Sequence, residues 1–290
     1  MWEQALRPVI SGLGAILRSG SIDDAVIVNN ALISTNLHPD LSAVALAKIT
    51  RVLVEAHPDC AIAWRSVHGR DSELPERLRA NGYQLIPARS VLFVPTKDRQ
   101  FESHRDYRKD LNLWHSTLAD PDGYRLTAPS CLTDEQCLRI AELYRMLYLE
   151  KYSWHSPQYQ SSFFEQTART GMFKYLLIER AGRIDAVIGY YTNHQHLAAP
   201  IIGYDTSLPR ELGLYRMINL QITETAWQRG LEVHASSGVA SFKRSRGAET
   251  EIEYTAVYAQ HLSRRQRFAW HTLDAVINSV APTLIDRFEL

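Results

Sequence analysis

The sequence predicts an α/β fold in which mixed central sheets are flanked by helices, and three observations predict it. Between residues 124 and 262 the apolar pattern switches repeatedly between the strand and helix periods. The order reads strand, helix, helix, three antiparallel strands, helix, strand, helix, strand. A shorter series (strand, helix, strand, helix, two strands) fills residues 24–95 and has the same order as residues 199–262, an internal repeat of architecture. Third, "SLPRELGLYRMINLQI" (207–222) sets a proline, an arginine and a glycine directly before a long apolar helix. Proline suits the first turn of a helix, where unpaired N–H groups and the positive end of the dipole attract an anion.

The elements follow from local signals. Residues 2–17 have helical spacing and stop at Ser19-Gly20. "DAVIVNN" (24–30) and "AIAWRSV" (61–67) are strand patterns around a helix at 41–56. A helix at 72–82 ends at Gly82, and two strands are expected around Pro87 within 83–95. Residues 96–123 are charged and close on the turn signal Asp-Pro-Asp-Gly, so 98–123 reads as a connecting segment. Then come a strand (124–130), a helix capped by Thr133 (134–152), a helix (156–170) and a meander from "FKYLLIER" to "HLAAPIIGYDTS". A helix (209–228), a strand (232–237), a short helix (240–249), a strand (251–262) and an arginine-rich helix from Arg264 to about Ala281 complete the chain. The expected division is 1–97, 98–123, 124–262 and 263–290.

Composition narrows the function classes. With 290 residues, 45% of them hydrophobic and 22% charged, the chain has room for a real core in one large or two ordinary domains. Cys60, Cys131 and Cys137 form no CxxC pair and suit free thiols in a reducing compartment. No apolar run approaches the roughly 18 residues of a membrane span, and the N-terminal stretch carries Glu3 and no small-residue cleavage site. A cytoplasmic protein without a membrane partner is expected. The 32 Lys+Arg balance 32 Asp+Glu, so an anionic partner must use a local patch. Three basic clusters could supply one: Arg105, Arg108 and Lys109; Lys243, Arg244 and Arg246; Arg264, Arg265 and Arg267.

The order of elements in 124–262, with Arg210, Gly213 and Tyr215 after the fourth strand, resembles the GNAT acyltransferases. That family places Gln/Arg-x-x-Gly-x-Gly/Ala there, and its backbone N–H groups hold the pyrophosphate of coenzyme A. The first two places match and the third does not, since Tyr215 stands where a small residue is expected. The repeated architecture and "FKRSRGAE" resemble the tandem branch that contains the Fem-type aminoacyl transferases and N-acyl amino acid synthases. The first half lacks the Arg-x-x-Gly loop, reading "STNLHPDLSAV" instead, and is expected to be a degenerate copy supporting the second.

The resemblance implies an amine attacking an acyl thioester with help from a general base. His234, on the strand after the cradle helix, and Asp205, at the end of the preceding strand, are the candidate bases. Ile202, Gly203, Tyr204, Arg210, Gly213, Leu214, Tyr215 and Arg216 are the donor-binding candidates. Tyr152, Trp154, His155, Tyr191 and Lys243 are those for a small-molecule amine acceptor. The crowding expected from Tyr215 favours a phosphopantetheine thioester on an acyl carrier protein beside coenzyme A as donor; an aminoacyl-tRNA is the alternative, and a thioester-binding module without turnover a third. The two histidines of "NHQH" (193–196) lack a Cys or carboxylate at ligand spacing, and "HASSG" (234–238) lacks the nucleophile elbow. Neither a metal nor a serine nucleophile is expected.

Overall fold

The computed structural model of the chain describes residues 2–70 and 72–288, with side-chain surroundings for 11–70 and 72–279. The first half contains α1 (Trp2–Ser19), β1 (Ala25–Val28), α2 (Ala43–Ala56), β2 (Ala61–Val67), α3 (Leu74–Ala80), β3 (Gln84–Val94) and α4 (Arg105–Ala119). The second contains β4 (Arg125–Thr127), α5 (Asp134–Tyr144), α6 (Ser161–Arg169), β5 (Lys174–Arg180), β6 (Arg183–Thr192), β7 (His196–Tyr204), α7 (Leu214–Gln228), β8 (Glu232–His234), α8 (Ala240–Arg244), β9 (Glu249–Tyr258) and α9 (Arg264–Phe288). Among the described residues no helix is long and apolar enough to cross a membrane.

Contacts divide the chain into two units, and the division differs from the expected one. The first unit comprises Met1–Ala31, His38–Val91 and Glu251–Leu290; the second comprises Leu32–Leu37 and Leu92–Thr250. In the first, β1 runs parallel to β2, β2 pairs antiparallel with β9 across a bulge between Trp64 and Val67, and the strand order is β1-β2-β9-β3. In the second, the order is β3-β8-β7-β6-β5-β4: the end of β3 pairs with β8, β8 runs parallel to β7, and the rest is an antiparallel meander. The strand that closes each sequence repeat therefore hydrogen-bonds outside its own repeat. Backbone pairing across long sequence separations leaves no mark in composition, which is why boundaries at 97 and 124 do not emerge as contact boundaries.

Two further expectations are corrected. Residues 98–123 are not a bare connector, because α4 buries Tyr107, Asp110 and Trp114, the i, i+3, i+7 face of a helix packed in the second unit. Around Pro87 one strand forms, not two: β3 runs unbroken from Gln84 to Val94, and its register with β8 is confined to Phe93 and Val94, away from the proline that lacks an N–H.

The repeat itself is visible in backbone geometry. Ser66, at the bulge of β2, and Ser236, after β8, take the same left-handed conformation, with φ of 60° and 57° respectively, in the matched segments "AIAWRSV" and "LEVHASS". Gly82 and Gly247, also matched, have φ of 86° and 91°. What distinguishes the halves is the helix after the loop. At α2 the Ser42 hydroxyl accepts the N–H of Ala45, so that N-terminus is capped from within. The preceding loop is diverted into the second unit, where Ile33, Thr35, Asn36 and Leu37 are buried.

The core of the second unit brings α7 and the meander together through Ile188, Leu197, Met217, Ile218, Leu220 and Val233. On the other face of β7, a Cβ at Gly203 would lie 2.7 Å from the Leu143 carbonyl carbon and 2.8 Å from the Tyr144 nitrogen. Gly203 thus permits the end of α5 to lie directly on β7, and its space is filled by backbone, not left for a donor. Gly203→Ala is expected to cost about 1–3 kcal/mol of stability through overpacking, read as a lowered urea midpoint.

Candidate functional site

The site begins where two strands part. β7 and β8 pair in parallel only at His196↔Glu232, Leu197↔Val233 and Ala198↔His234, while β7 continues to Tyr204. Past His234 the chain stays with β3: the Leu92 N–H donates to the Ser236 carbonyl at 3.0 Å and the Ala235 N–H to the Leu92 carbonyl at 2.7 Å. The left-handed Ser236 turns the backbone away from β7. Buried Lys243 of α8 holds that turn, donating to the carbonyls of Ala235 at 2.6 Å and Ser237 at 2.9 Å. The second stretch of β7, residues 199–204, therefore has no β8 partner.

Beyond β7 the chain passes through a 3-10 turn, Arg210–Leu212, to Gly213, which caps α7 with φ 71°. Gly213 offers no side chain to cap the helix, so the N–H groups of Leu214, Tyr215 and Arg216 stand in the first turn without a side-chain cap, at the positive end of the dipole. Arg210 is exposed beside them. A Cβ at Gly213 would fall 2.5 Å from Leu113 of α4, so glycine here serves backbone conformation and packing as well as access. The residues present fit a phosphate at this terminus.

Tyr215 does not lie across those N–H groups alone. Its ring sits 5.0 Å from Phe242 and 6.1 Å from Tyr204, and burial raises its hydroxyl above the ordinary pKa. Phe242 is covered by the Arg246 guanidinium at 3.5 Å. Arg246 and Arg216 both grip the buried Asp110 carboxylate, each through Nε at 2.6 Å. Asp110 on α4 thereby fixes the start of α7 and the end of α8 together. The side chain of Arg216 is thus committed to Asp110, and a donor would use its backbone N–H.

The candidate bases are held in other roles. His234 is 2% exposed, its ring 4.5 Å from Phe93, and its Nδ1 accepts the Ser236 N–H at 3.1 Å. In the neutral imidazole that bond puts the proton on Nε2, leaving no lone pair for an incoming ammonium proton. Asp205 accepts from Arg139 at 2.8 Å, from Arg183, and from the Ser207 N–H at 3.0 Å and hydroxyl. Burial works to raise its carboxyl, but the bonds from Ser207 and Arg139 outweigh it and the pKa lies below the ordinary 3.8. A carboxylate so engaged shapes the loop that leads to Arg210 and is a poor proton acceptor. Both are corrected from base to support for the loops around the site.

The acceptor candidates divide. Tyr152 lies near the site, its ring 6.3 Å from Tyr148, while Trp154 and His155 are exposed on the following loop. Tyr191 is used internally: its hydroxyl donates to the Thr35 carbonyl at 2.7 Å and accepts the Leu37 N–H at 2.8 Å, fastening the diverted loop. Lys243 is likewise spent on the turn after β8, which corrects its assignment to substrate. Ile202 and Tyr204 remain on the unpaired stretch of β7. Sequence reasoning missed Lys151, Tyr148, Phe242 and Asp110, and took Arg246 only as part of a basic cluster. Helical spacing in α4 could have found Asp110. A π-helical segment, Arg145–Tyr152, follows α5 and presents Tyr148 and Lys151, and it has no simple sequence signature. Among the described residues no group of three or more His, Cys, Asp or Glu is arranged for a metal ion.

No family model and no curated protein matches the chain. Solved structures do. FemX matches with a TM-score of 0.58 and 11% identity over 80% of this chain and 80% of that one. L-PGS from Bacillus licheniformis matches at 0.57 and 10% over 80% and 78%. The C-terminal domain assigned to a lysylphosphatidylglycerol synthetase of Agrobacterium fabrum matches at 0.56 and 12% over 81% and 79%. The fold is GNAT-type and Fem-like.

Two outcomes follow from these ion pairs. Asp110→Ala strands two guanidinium groups, one of them 13% exposed, and is expected to destabilise by on the order of 3 kcal/mol, read by urea denaturation. Because the Asp205 pKa is lower folded than unfolded, its contribution is present above about pH 3.8 and is lost as pH falls through the folded value. Asp205→Asn should flatten the acid limb of a stability curve measured between about pH 2 and 6.

Proposed function

We propose that the second unit transfers an acyl group from a phosphate-bearing donor to the amine of a small molecule. The observation that carries this is the parting of β7 and β8 beside the uncapped N-terminus of α7. A donor whose phosphate rests on the N–H groups of Leu214, Tyr215 and Arg216, with Arg210 alongside, could lay its acyl carbonyl along the unpaired stretch of β7. The amine nitrogen then forms a bond to the carbonyl carbon, the bond from that carbon to the donor's sulfur or oxygen breaks, and the leaving atom takes up the proton the amine gives up, through water. With His234 and Asp205 otherwise engaged, positioning carries more of the work than a dedicated base.

A phosphopantetheine thioester, on a carrier protein or as coenzyme A, is the donor that matches the cradle. A second reading is an aminoacyl-tRNA donor, which the resemblance to the Fem-type aminoacyl transferases implies and the likeness in fold to FemX supports. Intact-mass and product analysis with acyl-CoA, acyl-carrier and aminoacyl-tRNA donors against mixed amines separates them. Arg210→Ala, at an exposed position, is expected to raise the donor KM about tenfold with little loss of stability; an unchanged KM for every donor used would remove the cradle from the mechanism. Gly213→Val is no substitute, because the left-handed φ and Leu113 would disturb the fold.

A further inference from the structure

The first unit has its own parting of parallel strands, and there the chain closes the gap with a histidine. β1 and β2 pair from Ala25↔Ala61 to Val28↔Trp64. Asn29, the next residue, is left-handed at φ 54° and turns the chain out of β1. Just past the last pair, buried His38 joins the two strands: Nε2 donates to the Arg65 carbonyl at 2.6 Å, and Nδ1 accepts from the Asn29 side-chain amide at 3.3 Å. Its ring lies edge-on to Trp64, 5.3 Å between centroids. In the matched segments Arg65 corresponds to Ala235, whose carbonyl Lys243 holds at 2.6 Å. An imidazole thus does in one repeat what an ammonium does in the other. The Asn29–His38 bond also closes the neck of the loop formed by residues 30–37. That loop is fastened at three points within the second unit, where the Leu32 carbonyl accepts from Tyr159, the Thr35 carbonyl from Tyr191, and the Leu37 N–H donates to Tyr191.

We propose that His38 is an acid-sensitive latch on this loop: neutral, it bridges the parted β1 and β2 and closes the neck of residues 30–37, and charged, it releases both. A carbonyl can only accept and an amide N–H can only donate, so the bonds observed require a neutral ring with its proton on Nε2. A proton on Nδ1 would face the Asn29 amide donor to donor. The charge would also have to be carried in a buried place. Glu253 of β9 is the carboxylate whose field reaches the ring, and Arg89 of β3 already holds it at 2.7 and 3.1 Å. Asp40, two residues on from His38, is held by Arg77 of α3, and Arg65 on β2 is a like charge. Burial accordingly keeps the His38 pKa below the ordinary 6.5, against the opposing effects of the Arg65 carbonyl and Glu253. Because the folded value is the lower one, the contribution of His38 is complete above about pH 6.5 and is lost as the pH falls below it.

Hydrogen exchange of the full chain, read by mass spectrometry and corrected for the intrinsic effect of pH, tests the latch without any ligand. Between about pH 7.5 and pH 5, peptides covering residues 29–38 should lose protection by about tenfold or more, while peptides from Leu176 to Ile188 in the second unit's core keep theirs. His38→Gln should remove the pH dependence, whatever level of protection it leaves. Asn29→Asp gives the charged ring an anionic partner, so the acid loss should shrink or reverse in that variant, an outcome that a purely structural histidine would not produce. A wild type whose loop is equally protected at both pH values overturns the latch. So does an acid loss that persists in His38→Gln, one that Asn29→Asp leaves unchanged, or one that the core peptides share, since that would be global unfolding.

Discussion

A buried ammonium group holds the second unit's strands apart. Lys243 reaches from α8 to the carbonyls of Ala235 and Ser237, and those are the residues at which β8 must turn if it is to leave β7. Without such a hold, two parallel strands gain by continuing their ladder, since each added pair satisfies backbone groups that otherwise need water. The left-handed Ser236 is a strained conformation for a residue with a side chain. Its strain is offset by the bonds to Leu92 on one side and by the Ser236 N–H to His234 Nδ1 on the other. The gap beside β7 is thus an interruption of the sheet held by specific bonds.

The second constraint is electrostatic. Asp110 is 1% exposed and binds two arginines from two different elements, a geometry in which removing one partner is far more costly than the pair is worth against an apolar alternative. What the pair supplies is position. It ties α4 to the start of α7 and, through Arg246 over Phe242, to the ring of Tyr215. The Asp205 cluster does the same for the loop between β7 and Arg210. Both carboxylates sit near the site, and both act by fixing backbone, which is the ordinary use of a buried charge with several donors.

The two repeats show how one architecture supports different roles. Ser66 and Ser236 keep the same backbone turn, and Gly82 and Gly247 the same left-handed glycine. The helix N-terminus differs: Ser42 closes that of α2 from within, whereas Gly213 leaves that of α7 open. The loop before α2 is drawn off to Tyr159 and Tyr191, whose hydroxyls donate to the carbonyls of Leu32 at 2.5 Å and Thr35 at 2.7 Å. The loop before α2 serves the second unit as packing.

The sequence by itself determined the alternation of strands and helices, the meander, the repeat and the cradle helix, because each rests on local periodicity, on glycine and proline, and on capping residues such as Thr133, whose box with Gln136 is formed. Tertiary structure alone decided which strand pairs with which, since the pairing of β2 with β9 joins residues as distant in sequence as Ile62 and Tyr258 and carries no local signal. It also decided the roles of His234, Asp205, Tyr191 and Lys243. Each is a residue type that catalysis or binding favours, and each is claimed here by a partner: Tyr191 by a loop from the other repeat and Asp205 by two arginines, both distant in sequence, and His234 and Lys243 by the nearby turn at Ala235–Ser237, whose conformation only the folded chain sets.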